Sequence, residues 1–382
     1  MTLAFYVQHL LGIGHLRRAE LLAHALAAHG FDVVVLSGGL PVVGEDWGAA
    51  RIVRLPPARA AGVDFKSLID AHDRPIDDAW RAARRDALLD AVAAARPAVL
   101  LLEGFPFARR QFRFELVPLL DRLAAQPARP LVVSSIRDIL VAKPDPARVA
   151  EVVATIERSI DRVLVHGDPS LIRLDATFPG AAAIADRLCY TGFVAAPASP
   201  PVESAAARET VVVSVGGGAV GAELLLAACR ARALSQARDR PWLLLTGPMM
   251  PEPRVAAIRA AAPPGVTVER HRDDFRRLLG GAVLSISQAG YNTVLDLLQA
   301  GPRMVLVPFA AAGETEQALR ARLLADAGRA VVIDEASLTP DRLAAAVDRA
   351  LTAPPPPPMA INCDGAAASA RAIRGWLAER AT

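Results

Sequence analysis

The sequence predicts an α/β protein built from two Rossmann-like domains with a cleft between them. Three observations predict this fold: the length of 382 residues, the alternation of short apolar runs with segments of helical period, and a glycine-containing turn after the first strand of each half. A chain of this length is too long for one ordinary α/β domain and suits two domains of roughly 150 to 200 residues. Alternating strands and helices favour a parallel sheet in each half.

The first half alternates from its beginning. Strands are predicted over residues 3–7, 32–36, 52–55, 98–102, 131–135 and 163–165, and helices over 16–29 and 76–95. The segment 108–115 alternates cations with aromatic residues, which fits either an amphipathic helix or a surface for an anionic acceptor. The first half is therefore predicted to form one domain over residues 1–195.

A stretch rich in Ala, Pro and Ser and without periodicity follows, and residues 196–209 are the predicted linker. Strands then recur at 211–215, 242–245, 266–269, 283–286, 304–307 and 330–333, so a second α/β domain is predicted over residues 210–353. Residues 354–358 are all proline and form a stiff spacer. The spacer leads to a closing helix over 366–377, within a last segment of 354–382.

The segment 282–317 is the most informative part of the chain. It reads as a strand, a turn at Ser287–Gly290, a helix ending at Gly301-Pro302, and a strand closed by Pro308, which makes a βαβ unit. Ligands of such sheets bind beyond the carboxyl ends of the strands. A helix beginning at Gly290 directs backbone NH groups at an anion, and a phosphate fits that position. Asp296, within two helical turns, can accept hydrogen bonds from sugar hydroxyls.

Composition excludes several classes of protein. The formal charge is only +3, and the basic residues are scattered arginines with two lysines, Lys66 and Lys143, so a nucleic-acid partner is not expected. The three cysteines are far apart, which favours a reducing cytoplasm and neither a disulfide framework nor a metal spacing. No apolar run approaches the roughly 20 residues that span a bilayer. We expect a cytoplasmic protein with at most peripheral contact at the inner face of the membrane.

The segment 282–317 resembles the nucleotide-sugar half of GT-B glycosyltransferases, and most closely the bacterial N-acetylglucosaminyltransferases that complete lipid II of peptidoglycan. The resemblance implies a GT-B architecture of two Rossmann-like domains. It also implies that Gly290 and Thr293 form the phosphate turn, that Asp296 binds the ribose, and that Glu316 and Gln317 bind the donor sugar. Asp296 replaces the usual Glu, and Glu316 stands where the lipid II enzymes have a glutamine. These departures leave the donor sugar open.

Other residues of the second half fit the same donor site. A glycine turn after the strand 211–215 allows a diphosphate to approach the backbone closely. His271 and Arg272 follow a strand at a position where related enzymes read the base, although a polar loop capped by Asp273 and Asp274 accounts for them as well. The predicted donor-binding residues are Gly14, Gly216, Gly217, Gly218, Thr246, His271, Arg272, Gln288, Gly290, Thr293, Asp296, Glu316 and Gln317.

The loop after the first strand carries the candidate base. By resemblance, His15 of Gly12-Ile13-Gly14-His15 binds or deprotonates the acceptor, and imidazole suits the task because its usual pKa near 6.5 leaves it largely neutral. His9 is the rival in the same loop, and Arg17 fits either a phosphate contact or a solvated helix face.

Two carboxylates end buried strands and are the other candidate catalytic residues. Glu103 and Asp138 occupy these positions, and capping or an ion pair with Arg137 explains them equally well. Arg109, in the segment of alternating cations and aromatics, completes the predicted acceptor side with His9 and Arg17.

No Asp-x-Asp pair, P-loop, GxSxG elbow, HExxH or CxxC motif occurs, so neither a metal nor a cofactor is expected. The prediction is a metal-independent inverting glycosyltransferase that moves a sugar from a nucleotide-sugar, most plausibly a UDP-sugar, to a hydroxyl acceptor. The acceptor is unknown, and a lipid-linked compound and a saccharide both remain open. A nucleotide-sugar epimerase of the same fold and a non-catalytic nucleotide-sugar-binding partner subunit are the alternatives.

Overall fold

The structure is a computed structural model that describes residues 1–10, 14–62, 67–140, 145–198, 200, 209–217, 220–310, 315–357 and 359–381. The chain divides into two compact units. One comprises Met1–Ala195 with Ile361–Thr382, and the other comprises Ala196–Ala360.

The first unit is built on a parallel sheet. Within the described residues it has seven strands in the order β3-β2-β1-β6-β7-β8-β9. Its strands are β1 (Thr2–Val7), β2 (Asp32–Ser37), β3 (Arg51–Arg54), β6 (Val99–Glu103), β7 (Leu131–Arg137), β8 (Arg162–His166) and β9 (Leu188–Tyr190). Between β3 and β6 lies a short antiparallel pair, β4 (Arg59–Ala60) and β5 (Leu68–Ile69). The helices of this unit are α1 (Gly14–Ala28), α2 (Asp78–Ala95), α3 (Arg113–Ala124), α4 (Pro146–Ser159) and α11 (Gly365–Ala381).

Both faces of this sheet are covered, which explains why its central strands are continuous apolar runs. Alternate residues of β1 enter different cores: Ala4 and Tyr6 face one side, and Leu3, Phe5 and Val7 face the other. The first core is closed by α2, α3 and α4, and the second by α1 and α11. Because side chains of a strand alternate between its faces, one strand supplies both cores.

The closing helix α11 packs within the first unit. Ala370 and Ile373 are fully buried in the same core as α1, and the Arg374 side chain donates a hydrogen bond to the carbonyl of His29 at 2.6 Å. The Gly365 amide also donates to Phe193 O at 3.0 Å. The last residues of the chain therefore stabilise the unit formed by the first.

The second unit is a second parallel sheet. In the described part of the chain its strand order is β12-β11-β10-β13-β14-β15. The strands are β10 (Val211–Ser214), β11 (Trp242–Leu245), β12 (Val266–Glu269), β13 (Leu284–Ser287), β14 (Arg303–Leu306) and β15 (Val331–Val332). The helices are α5 (Ala222–Leu234), α6 (Glu252–Ala261), α7 (Phe275–Gly281), α8 (Tyr291–Ala300), α9 (Glu316–Asp326) and α10 (Pro340–Thr352).

The α/β class and the parallel sheets of the prediction are confirmed, and the strands of the second unit fall within one or two residues of their predicted positions. Sequence reasoning gave no ranges for β9, for the β4–β5 pair or for the helices α4–α7, α9 and α10, and it covered only the start of α3. Most of the predicted linker and residues 311–314 of the loop before α9 lie outside the described residues.

None of the helices in the described part of the chain combines the length and the apolar character needed to cross a bilayer.

Candidate active site

The candidate base of the first unit has a carboxylate partner. His15 lies in the first turn of α1, Glu103 is the last residue of β6, and His15 Nδ1 is 2.7 Å from Glu103 Oε1. Strands β1 and β6 are neighbours, so the loop after one and the end of the other meet at the same sheet edge. An ionised carboxylate only accepts hydrogen bonds, so Nδ1 carries the proton and Nε2 keeps its lone pair. His15 Nε2 makes no hydrogen bond with the described residues, and the side chain is 26% exposed.

Glu103 is buried and held by two guanidinium groups. Arg18 donates to Glu103 Oε1 at 2.6 Å, and Arg109 donates to Oε2 from Nη2 at 2.8 Å and from Nε at 3.2 Å. Burial alone would raise the pKa of Glu103, but Arg109, His15 and Arg18 outweigh burial and hold this pKa well below its usual value. Glu103 is thus an ionised orienting group, and it is a poor candidate for a base.

The loop between Glu103 and Arg109 is shaped to bring these residues together. Gly104 has a φ of 80° and Arg109 a φ of 64°, both in the left-handed region. For a side chain as large as that of Arg this conformation is strained by roughly 1 to 2 kcal/mol. Such strain is typical of sites where a backbone conformation serves function.

The assumption that His15 has an ordinary pKa is wrong. Burial lowers the pKa of His15 to about 3, with Arg109 and Arg137 acting in the same direction and Glu103 opposing them. His15 is therefore neutral across the physiological range, as a proton acceptor must be.

The other predicted residues of the acceptor side have structural partners. His9 is 8% exposed, and its ring lies so close to Gly39 that a Cβ there would fall 2.2 Å from Cε1. Arg17 donates to Glu20 and to Gly44 O, both at 2.9 Å. Asp138 is 1% exposed and lies against Gly167. Of the predicted residues of this side, the structure gathers His15, Glu103 and Arg109 in one cluster.

Sequence reasoning missed a polar layer beside this cluster. His166 is fully buried, with Nε2 2.7 Å from Ser135 Oγ and Nδ1 2.9 Å from Thr191 Oγ1. Burial lowers the pKa of His166 to about 3. Ser135 is the sheet neighbour of Glu103. The position of His166 at the end of a predicted strand was the only signal in the sequence.

A buried ion pair was also missed. Arg84 and Glu115 are both fully buried, with Arg84 Nε donating to Glu115 Oε2 at 2.7 Å and Tyr6 Oη donating to Oε1 at 2.6 Å. The same guanidinium donates to Gln8 Oε1 and to the carbonyls of Gly38 and Pro56. Arg84 therefore ties together the segments that follow β1, β2 and β3.

Two glycine turns of the second unit lie side by side. Ser214 ends β10, Ser287 ends β13, and the two residues are register partners. A Cβ on Gly216 would lie 3.7 Å from Thr293 Oγ1, so the turn after β10 reaches the first turn of α8. Gln288 Nε2 lies 3.0 Å from the position of a Cβ on Gly221, so Gln288 packs over the same turn. These predicted donor-binding residues come together, while Gly218 lies outside the described residues.

Gly290 and Gly217 face open space. Gly290 precedes α8 with φ −64° and ψ 151°, which any residue adopts. A Cβ on Gly290 or on Gly217 would meet no atom within 4 Å. Neither backbone conformation nor crowding within the described chain demands glycine at Gly290. A ligand that approaches the backbone closely would demand it.

Asp296 lies one and a half turns into α8. Its carboxylate makes no hydrogen bond with the described residues. Burial raises the pKa of Asp296 to about 6, and Arg276 on α7 opposes that effect. A half-buried carboxylate without a hydrogen-bond donor is costly, and such groups mark binding sites more often than structural ones.

Glu316 and Gln317 make contacts that the sequence did not predict. Glu316 is 3% exposed and pairs with Arg320 at 2.8 Å. Gln317 Oε1 accepts hydrogen bonds from the amides of Ala289 and Phe309, both at 3.1 Å. The start of α9 therefore holds the turn before α8.

The remaining donor-side predictions are more peripheral. Thr246 is fully buried, His271 is exposed and pairs with Asp273 at 3.2 Å, and Arg272 pairs with Asp274 at 2.7 Å. Hydrogen bonding to Asp274 raises the pKa of Arg272 further above its usual value. β12 is the edge strand, two strands from β10, so the loop that follows it starts about 10 Å from the glycine turn.

Among the residues that the structure describes, no three His, Cys, Asp or Glu side chains are grouped as a metal site.

Residues 212–372 match the glycosyltransferase family 28 C-terminal domain. The UDP-N-acetylglucosamine–N-acetylmuramyl-(pentapeptide) pyrophosphoryl-undecaprenol N-acetylglucosamine transferase of Phenylobacterium zucineum is 29% identical over 356 residues, which cover 89% of this chain and 87% of the relative. The enzyme of the same name from Agrobacterium fabrum is 33% identical over 149 residues, 38% of this chain and 39% of that protein.

Solved structures share the fold over nearly the whole chain. The spinosyn rhamnosyltransferase SpnG is 19% identical with a TM-score of 0.63, covering 99% of this chain and 96% of its own. Acinetobacter baumannii MurG is 18% identical with a TM-score of 0.60, covering 98% of this chain and 100% of its own.

The chain is a glycosyltransferase with the GT-B fold, as shown by its two parallel α/β units, the glycine turns beside α8 and these similarities. More particularly, residues 212–372 match the family 28 C-terminal domain, and the chain is similar to the N-acetylglucosaminyltransferases named above.

Proposed function

We propose that this glycosyltransferase moves a sugar from a UDP-sugar to a hydroxyl acceptor with inversion and without a metal ion. The first unit holds the acceptor and the base, and the second unit holds the donor. The observation that carries the proposal is the 2.7 Å contact between His15 Nδ1 and Glu103 Oε1, which leaves Nε2 of a neutral imidazole as proton acceptor.

The chemistry is a single displacement. The acceptor hydroxyl gives its proton to His15 Nε2 while its oxygen forms a bond to the anomeric carbon of the donor. The bond from that carbon to the diphosphate oxygen breaks, and its electron pair leaves with the nucleoside diphosphate. Glu103 orients the ring and stabilises the imidazolium, which is the division of roles seen in nucleophile–base–carboxylate systems.

The leaving diphosphate requires stabilisation as its charge grows. The turns at Gly216–Gly217 and at Gly290 and the N-terminus of α8 supply backbone NH groups and the positive end of a helix dipole. Preorganised donors of this kind are usually the largest electrostatic contribution to such reactions. Asp296 accepts hydrogen bonds from the ribose hydroxyls.

The acceptor is the less specified substrate. The relatives are named for transfer of N-acetylglucosamine to an N-acetylmuramyl pyrophosphoryl-undecaprenol. For this chain we propose a hydroxyl acceptor that is either lipid-linked or a saccharide, with a lipid-linked acceptor bringing the protein to the membrane surface.

Titration of the protein with UDP, GDP, ADP and dTDP, with and without EDTA, tests the donor. We expect stabilisation by UDP that EDTA leaves unchanged. Stabilisation by no nucleotide would overturn the donor site, and stabilisation that EDTA abolishes would overturn metal independence.

Incubation of the UDP-sugar with and without candidate acceptors tests the reaction. Transfer predicts UDP release that depends on the acceptor and is lost in His15→Ala. Interconversion of the sugar without an acceptor would instead identify an epimerase.

A further inference from the structure

We propose that Arg320, together with Gln317, is a positioning residue for the diphosphate-binding turn; this inference rests on the proposed donor site. The resemblance to GT-B glycosyltransferases implies one role for the start of α9, which is contact of Glu316 and Gln317 with the donor sugar. The contacts of these two side chains point to a second role, which is to hold the backbone before α8 in the conformation that receives the diphosphate.

The guanidinium group of Arg320 contacts the turn before α8, Glu316 of its own helix, and the first residue of α8. Nη1 donates to the carbonyl of Ala289 at 3.0 Å, Nη2 donates to Glu316 Oε1 at 2.8 Å, and the guanidinium carbon lies 5.6 Å from the centre of the Tyr291 ring. Arg320 is only 2% exposed, so these contacts form away from water. A planar guanidinium provides this combination of directed donors and ring stacking, which an ammonium group does not.

Gln317 holds the neighbouring Gln288–Ala289 peptide group, on the other side of Ala289. Its Oε1 accepts a hydrogen bond from the amide of Ala289, and a second from the amide of Phe309 after β14. Ala289 itself is fully buried. Both polar atoms of Ala289 are therefore bound by side chains of α9, one by Gln317 and the other by Arg320.

The clamped residue directly precedes Gly290, the N-cap of α8. The orientation of the Ala289–Gly290 peptide sets where α8 begins and where its first NH groups point. Binding groups must be held close to the productive geometry for their full effect. Arg320 and Gln317 act on the diphosphate through this backbone and need not touch it.

This role predicts a different dependence on the ligand from that of a sugar contact. A residue that only contacts the sugar contributes to the binding of a UDP-sugar and contributes nothing to the binding of UDP. A residue that positions the diphosphate turn contributes to both ligands equally. Comparison of the two affinities separates the roles.

The test is calorimetric titration of the full chain and of Arg320→Gln with UDP and with the UDP-sugar that the wild type binds. We expect both dissociation constants to rise by about tenfold, the loss typical of a hydrogen bond that involves a charged group. Arg320→Lys keeps the positive charge but loses the planar arrangement of NH donors, and it should recover part of the affinity for UDP. Arg322→Gln, an exposed change on the same helix, is the matched control and should bind as the wild type does.

Gln317 offers a second pair of variants if Arg320→Gln does not fold. In Gln317→Glu a carboxylate oxygen still accepts from both amides, whereas Gln317→Leu removes the acceptor. We expect Gln317→Leu to weaken UDP binding more than Gln317→Glu does.

Three results are distinguishable. Wild-type protein that binds no uridine nucleotide would overturn the proposed function itself. UDP binding that is unchanged in a folded Arg320→Gln and in Gln317→Leu would overturn the positioning role alone. Weaker binding of both ligands, with a melting temperature of the ligand-free variant close to that of Arg322→Gln, would support it.

Discussion

At the scale of single residues, the buried charge of ionised Asp296 lowers the free energy of unfolding. Its pKa is raised to about 6 from a usual value of 3.8. The carboxyl pKa is higher in the folded protein than in the unfolded chain. The free energy of unfolding is therefore highest below the unfolded pKa and falls as pH rises through the folded pKa. We expect Asp296→Asn to increase the free energy of unfolding by roughly 1 to 3 kcal/mol at pH 8 and to change it little at pH 4. Denaturant titration at the two pH values measures this difference.

The same substitution should act in the opposite direction on binding. Loss of the charged acceptor for the ribose is expected to weaken UDP binding in Asp296→Asn and in Asp296→Ala by roughly 1 to 2 kcal/mol. A variant that is more stable and binds as tightly as the wild type would remove Asp296 from the ribose site.

The raised pKa of Asp296 also predicts a pH dependence of the reaction. As pH falls through about 6, Asp296 takes up a proton and its hydrogen bonds to the ribose lose their charge assistance, so kcat/KM for the donor should fall. His15, with a pKa of about 3, does not titrate in this range. Initial rates between pH 5 and 8 should show the acid limb in the wild type and not in Asp296→Asn. A limb that persists in the variant would assign the titration to another group.

His15 and Glu103 should act as a unit. We expect His15→Ala and Glu103→Gln each to reduce kcat by about 10²- to 10⁴-fold, because one change removes the base and the other its orientation. The double variant should be little worse than either single variant, since interacting residues are not additive.

Glu103→Gln also leaves Arg18 and Arg109 buried without a counter-charge, a cost of about 3 to 5 kcal/mol. Hydrogen exchange in β1 and β6 at the rate of the wild type provides the control for folding of the first unit in these variants. A loss of activity in the double variant as large as the product of the two single losses would contradict a shared role.

At the scale of elements, a substitution at the start of α8 should affect ligand binding without affecting folding. Gly290 has an ordinary φ and open space at its Cβ position. Gly290→Ala should therefore change the free energy of unfolding by less than about 1 kcal/mol, the usual range for replacing a helix N-cap glycine. The added methyl group would stand where the diphosphate approaches, so UDP affinity should fall about tenfold or more. Calorimetry with UDP beside thermal unfolding without it gives both quantities, and unchanged affinity would show that the ligand does not approach Gly290.

The predictability of the elements follows from their burial. Strands such as β6 and β10 are buried along their whole length, so each appears in the sequence as an uninterrupted apolar run. β9 was missed because it is only three residues long and half-buried, which leaves no such run. Only one face of α4 is buried, with Val152, Thr155, Ile156 and Ser159 at helical spacing, so α4 does not appear in the sequence as a continuous apolar run.

At the scale of the whole molecule, helix α11 packs in the same core as α1, although the two helices are far apart in the sequence. Ile373 of α11 is fully buried in the core formed with α1. Ile373→Ala should lower the stability of the first unit by about 2 to 5 kcal/mol, the range for truncating a buried aliphatic side chain. Hydrogen exchange resolved along the chain should be faster than in the wild type in β1 and α1 and unchanged in β10 and β13. Faster exchange spread equally over both units would mean that they unfold as one.

The sequence by itself determined the α/β class, the two glycine turns, the helix that begins after Gly290 and the identity of the candidate base. These features are local, because the period of an apolar run and the residues of a turn are written in consecutive positions. Only the tertiary structure decided the ionisation of Glu103, the low pKa of His15, the raised pKa of Asp296 and the partners of Glu316 and Gln317. Arg18 and Glu103 are 85 positions apart, and Tyr6 and Glu115 are 109 apart. Their contacts and the burial that shifts these pKa values arise only when the strands are placed side by side, and no local pattern records that placement.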